Sequence, residues 1–245
     1  MREGSRVYLG VDACRAGWFA VAIGSEVHWR CSLHGTIAEL AAAYPEAELT
    51  LIDIPIGLPS MTKRRCDEEA RRLLGRSRAS SVFPVPCRAA LAATHYREAS
   101  AINKQMLGVN LSRQTWNILP KIRDVDVWLQ RQGNPRCREC HPELAFWALA
   151  GGRIMGHGKK TMEGREERLA LLRIYFRSAD ALFAAALRAY PRKAVASDDI
   201  IDALALALTA WLSGGELSWV PQHPQFDGMG LPMEIVFARL EVRAA

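Results

Sequence analysis

The chain has 245 residues, 49% of them apolar, and a formal net charge of +6. That length suits one large domain, or one core with a sizeable insertion. No apolar run reaches the roughly 20 residues of a membrane helix, so no membrane association is expected, and the positive charge permits a polyanionic partner without requiring one.

The opening MREGSRVYLGVDA runs straight into a strand with no leader pattern, so the expected compartment is the cytoplasm. The six cysteines, Cys14, Cys31, Cys66, Cys87, Cys137 and Cys140, then read as reduced thiols rather than disulfides. Short apolar runs predict strands over 7–12, 17–23 and 26–31, joined closely enough to form an antiparallel meander. An alanine-rich helix over 36–44 follows, with Thr36 as its N-cap. A buried strand over 49–54 returns parallel to the first through a right-handed crossover, and Pro55 and Pro59 end it.

Residues 60–132 read as a mainly helical insertion, in which Pro120 kinks or interrupts the segment LSRQTWNILPKIRDVDVWLQRQ. Gly133-Asn134-Pro135 is a turn signal. A short strand over 136–141 and a helix over 143–150 come next. The basic, glycine-rich GGRIMGHGKKTMEGREER reads as an exposed loop over the sheet. Helices over 163–176 and 179–190 precede a last strong helix, capped by Ser197 or Asp198 and running to 212. The tail reads as a loop and a final edge strand.

Four segments place carboxylates where strands end or helices begin: GVDACRAGW, LIDIPIGLP, ECHPELAF and SDDIIDALALALTA. They supply Asp12, Asp53, Glu143, Asp199 and Asp202. Asp53 lies between Ile52 and Ile54 in a strand buried on both faces, where a carboxylate needs a metal or a base. Asp199 and Asp202 are three apart and share one face of a helix. Capping accounts for Asp198 or Asp199, but Asp202 lies beyond the cap. Turn chemistry is the plain alternative for Asp12, and helix-dipole stabilisation the plain alternative for Glu143. Acids brought together raise one another's pKa, and hard oxygen donors suit Mg2+ or Mn2+.

GVDACRAGW, DIPIGLP, RRCDEEARRLLG, SSVFPVP, QTWNILPKIRDVD, ECHPELAF, KKTMEGREERLALL and DDIIDALALALTA together resemble a domain-of-unknown-function family, number 429, of predicted nucleases with an RNase H-like fold. The resemblance implies an α/β fold with a mixed sheet, three antiparallel strands then parallel ones, flanked by helices. The chain is then a single domain over 1–245 with the helical insertion at 60–132. Asp12 falls on the first strand, Asp53 at the end of the fourth, and Asp199 and Asp202 on the closing helix. The expected chemistry is phosphodiester hydrolysis of DNA or RNA with two ions about 4 Å apart. Asp12 bridges them, Asp53 with Asp199 or Asp202 completes the shells, and Glu143 binds metal or orients water.

Phosphate contacts call for Lys and Arg. Lys63, Arg78 and Arg88 flank proline-bounded loops, Lys121 stands in the insertion, and Lys160 and Arg165 form a second basic cluster with Lys159 and Arg168 in the glycine-rich stretch. Arg71 and Arg72 read instead as solvated partners of Asp67, Glu68 and Glu69. Trp116 reads as core, and His141 as a hydrogen-bonded structural histidine. Cys137-Arg-Glu-Cys140-His141 matches a haem-attachment pattern, which the missing export signal rejects. Two other readings stand beside the nuclease. One is a nucleotide-dependent phosphotransferase of the actin-like ATPase type, disfavoured by a single core and the lack of paired glycine-rich phosphate loops. The other is a non-catalytic nucleic-acid-binding module.

Overall fold

The computed structural model describes residues 6–133 and 136–239. Of the expected turn, Asn134 and Pro135 lie outside the described residues, while Gly133 is the left-handed C-cap of the preceding helix (φ 56°). The chain divides into two compact units. The first comprises Met1–Asp53, Pro135–Ser218 and Val236–Ala245; the second comprises Ile54–Asn134 and Trp219–Ile235.

In the first unit β1 (Val7–Cys14), β2 (Gly17–Ile23) and β3 (Trp29–His34) form the antiparallel meander. Helix α1 (Ile37–Ala43) leads to β4 (Ala47–Ile52), which pairs parallel with β1, and β5 (Cys137–Glu139) pairs parallel with β4. The strand order β3-β2-β1-β4-β5 is a mixed α/β sheet consistent with an RNase H-like fold. Strand β3 starts later than its apolar run predicts, because residues 24–28 close a turn. Gly24 N donates to His28 O at 2.8 Å, and Ser25 Oγ accepts from His28 N at 3.2 Å. Thr36 caps α1 as expected: its Oγ1 accepts from Glu39 N at 3.2 Å, and Glu39 reaches back to the Thr36 amide.

Helices α5 (Pro142–Leu149), α6 (Met162–Tyr175), α7 (Ala179–Ala189) and α8 (Ser197–Ser213) complete this unit. Every residue of α8 from Ile200 to Ala210 is buried, since it packs on β1, β2 and β4 and also against α5, α6 and α7. A helix apolar all round is the expected sequence for such a site. Its approach to β1 depends on Gly10, where a Cβ would lie 2.1 Å from Ala203 O and Ala207 N. The cap of α8 is Ala196, one residue before the expected Ser197.

The second unit is mainly helical: α2 (Arg65–Arg78), α3 (Tyr96–Leu107) and α4 (Arg113–Gln132), with 3-10 turns at Ala79–Ser81 and Arg88–Ala92. Pro120 does not interrupt α4. Leu119, Ile122, Val125 and Leu129 are buried on either side of it, at about 1.5–3 kcal/mol each. That outweighs the roughly 3 kcal/mol cost of a mid-helix proline. Buried ion pairs brace this unit. Arg64, 1% exposed, donates to Asp67 at 2.5 Å and to Ile56 O at 2.9 Å. Arg88 joins Asp126 (2.9 Å) to Asp227.

The tail holds two strands where one edge strand was expected. They are β6 (Leu217–Phe226) and β7 (Pro232–Ala238), paired as a separate sheet. Asp227 builds the connecting turn, its Oδ1 accepting from Met229 N and Leu231 N, so a segment rich in turn formers still returns as a hairpin. All six cysteines are unbridged. Among the described residues no helix is long and apolar enough to cross a membrane.

Candidate active site

Parallel pairing delivers the carboxylates to one end of the sheet in the first unit. Val11 of β1 stands opposite Ile52 of β4, and the next residue, Asp53, donates its amide to Val11 O at 2.9 Å. That bond sets Asp53 beside Asp12. Cys140 N donates to Ile52 O at 3.0 Å, which brings the end of β5, and with it Glu143 in the first turn of α5, to the same edge. Ala16, in the turn after β1, donates to Ala194 O at 3.3 Å. The start of α8, carrying Asp199 and Asp202, is thereby held at that edge as well.

The acids at this edge act on one another electrostatically. Asp12, 7% exposed, is raised well above the ordinary carboxylate range by burial and then by the charges of Asp53, Asp202 and Asp199. Asp53 is raised by burial and by Glu143, against the pull of His141 and Lys159. Asp202, 1% exposed, is raised to about 6 by burial, Asp53 and Glu143, although the Lys159 charge and hydrogen bond oppose the shift. Asp199 is raised by burial and Asp198. Its Oδ2 accepts from the Ala196 amide at 2.8 Å, so it caps α8 while facing the cluster. Asp12 and Asp202 are buried and Asp53 and Asp199 half-buried, and the charges of Asp53, Asp199, Asp202 and Glu143 each act on at least one other acid of the group.

Two cations answer them, and sequence reasoning assigned neither to the site. Lys159 Nζ donates to Asp202 Oδ2 at 2.7 Å. Although burial works against its charge, the attractions of Asp202, Asp12 and Asp53 raise the ammonium above its ordinary range. Arg168, 1% exposed, donates to Glu143 Oε1 at 2.5 Å and to the carbonyls of His157 and Gly164. The loop carrying Lys159 is pinned from α6. Glu167 accepts from Gly156 N (2.7 Å) and His157 N (2.9 Å), and Gly164 lies so close to Gly158 O that a Cβ would stand 1.9 Å from it. Arg168 was findable in the sequence, because it falls on the face of α6 shared by Gly164, Leu171 and Leu172, and a cation there needs a buried acid. Lys159 lies in an aperiodic loop and carries no such signal.

Of the basic residues expected to hold nucleic acid, Lys160 is exposed and Arg165 half-buried in the first unit. Lys63, Arg78, Arg88 and Lys121 belong to the second. Lys63 is exposed, Arg78 and Lys121 are half-buried, and the guanidinium of Arg88 is engaged by Asp126 and Asp227.

The donor set suits a hard divalent ion. It consists of carboxylates raised by burial and by one another's charge, and Glu143 Oε2 is buried with no hydrogen-bond partner among the described residues. The distances are not closed around an ion, however. Among the described residues no group of three or more His, Cys, Asp or Glu is spaced to hold one, and the Lys159 ammonium takes up one oxygen of Asp202. The acids and the sheet edge thus define a mixed α/β protein with a partly buried group of carboxylates, one of them paired with a lysine. The family model described as "Protein of unknown function (DUF429)" matches residues 10–225, and the chain belongs to that family. No curated protein and no solved structure matches it.

Proposed function

We propose that the protein is a Mg2+- or Mn2+-dependent nuclease hydrolysing nucleic-acid phosphodiester bonds. The observation that carries this reading is the strand pairing that sets half-buried Asp53 beside buried Asp12, with Asp202 close enough that burial and the acids' charges raise all three. Those carboxylates, with Glu143 Oε2, would hold the metal. Bound divalent ions supply a water of lowered pKa and neutralise charge on phosphate. Asp199 fixes the start of α8 and hence the position of Asp202. Arg168 takes Glu143 Oε1 and leaves Oε2 without a protein donor among the described residues, available to a metal. Lys159 keeps Asp202 ionised and must release it for the oxygen to serve a metal. Lys160 and Arg165 provide contacts for the phosphate backbone.

Cleavage of labelled single- and double-stranded DNA and RNA, with and without Mg2+ or Mn2+, tests the proposal. Asp12→Asn and Asp53→Asn should abolish cutting while circular dichroism shows the fold intact. Variants that cut as fast as the parent would overturn it. The Lys159–Asp202 pair favours one second reading, a nucleic-acid-binding module without catalysis. That module binds its target equally well in chelator, and the parent then cuts nothing in the same panel.

A further inference from the structure

The second unit contains a cleft of about 570 Å³, within the range of small-molecule sites. Part of the lining is apolar: Phe83, Pro84, Val85, Leu107 and Val109. Phe83 is half-buried, and no other aromatic ring of the described residues stacks on it. The charged part of the lining is cationic. Lys63, Arg64 and Arg71 make it up together with a single acid, Asp67. Arg64 is neutralised by Asp67, so two positive charges remain. Neither Lys63 nor Arg71 has a carboxylate partner among the described residues. Arg71 donates its Nε to Val82 O at 2.8 Å, which holds the guanidinium against the wall.

The first turn of α4 adds Ser112 and Gln114, with Asn110 just before it. Ser112 Oγ accepts from Thr115 N, which leaves the amides of residues 113 and 114 at the positive end of a 20-residue helix. The walls are fixed rather than collapsible. Thr115 Oγ1 donates to Pro84 O at 2.8 Å. Buried Asn103 accepts from Cys87 N at 2.8 Å and donates to Val109 O at 2.9 Å, tying the segment after Val85 to the one after Leu107.

We infer that this cleft is a nucleotide site, taking a 5′-phosphorylated nucleoside either free or as one residue of a single strand. The base stacks on Phe83, Asn110 and Gln114 offer amides to its edge, and the phosphate meets Lys63, Arg71 and the start of α4. Inorganic phosphate alone leaves the apolar wall uncovered, and an acyl chain leaves the cations and amides unmatched. The inference rests on the second unit's lining and is independent of the acids in the first.

The test is calorimetry on the full-length protein with AMP, GMP, CMP and UMP, with adenosine, with inorganic phosphate, and with a five-nucleotide single strand. A nucleotide should bind at least about tenfold more tightly than nucleoside or phosphate alone. Lys63→Glu, at an exposed position, and Phe83→Ala should each weaken that binding by about tenfold or more. Binding of mononucleotides identifies the free ligand as the source. Binding of the strand alone identifies a residue within a chain, and either result supports the site. No heat with any nucleotide or strand would overturn the inference, as would unchanged binding in both variants. Asp12→Asn should bind nucleotide as the parent does, so loss of cleavage in that variant and loss of binding in Lys63→Glu fail separately.

Discussion

Both units bury carboxylates, but the environments drive them in opposite directions. In the second unit Asp227 stays below its ordinary pKa despite burial, because the Leu58 amide, Arg88 and the amides of Leu231 and Met229 all donate to it. In the first unit Asp12, Asp53 and Asp202 rise, first because burial disfavours their charge and then because neighbouring acids repel it, and the pull of Lys159, shared among the three, does not offset the two. A buried acid with a full complement of donors is a brace. A buried acid left short of donors by its neighbours stores an attraction for any cation that can reach it.

Removing a brace should have the largest effect on folding. Asp227→Ala leaves Arg88 half of its partners and three amides without an acceptor, and should cost about 3–5 kcal/mol in urea unfolding. Asp12→Asn should cost nothing comparable and should leave the metal-free protein as stable as the parent or more so. If the two losses match, the distinction between the regions fails. Lys159→Met, which strips the shared cation from the acids, should cost about 1.5–3 kcal/mol without metal and should strengthen Mn2+ binding by freeing Asp202.

Acidity separates the regions next. The folded-state carboxyl of Asp202 titrates at about 6, above its ordinary 3.8. Between those values the folded protein holds more protons than the unfolded chain, so this group's contribution to stability falls as pH rises through the window. Unfolding midpoints should therefore improve from pH 7 to pH 5, and the improvement should shrink in Asp202→Asn and on adding Mg2+. Asp227 acts in the opposite sense, its contribution disappearing only as pH falls below the ordinary carboxylate range. The smallest effect belongs to the exposed pair Arg30–Glu46, whose side chains are 57% and 50% exposed. Glu46→Gln should cost about 0.2–1 kcal/mol, which shows that burial rather than pairing sets the scale.

The strand-end acids were legible in the sequence because apolar runs declare buried strands, and Asp12 and Asp53 interrupt or end such runs. Asp202 was legible as the acid beyond the cap of an otherwise apolar helix. The meander, the crossover and the packing of Ala203, Leu206 and Ala207 of α8 on Gly10 follow the same logic of small, apolar surfaces. Strand β3 was misplaced because the turn chemistry of Ser25 was not weighed against the apolar pattern. The final hairpin was half seen, since Pro221, Pro224 and Pro232 mask strand propensity. Lys159 was invisible as a partner of Asp202, 43 positions away, because no periodicity aims a loop side chain. The cleft was invisible for a related reason: its lining runs from Pro59 to Gln114, and only the folded backbone brings those residues together.

The central claim is that the first unit's acids form a site for divalent cations, and Mn2+ titration followed by electron paramagnetic resonance tests it most directly. The parent protein at neutral pH should remove the free-ion signal with saturable stoichiometry, and Asp12→Asn and Asp53→Asn should leave that signal unchanged. Equal Mn2+ uptake by parent and both variants, or none by the parent, would contradict the account.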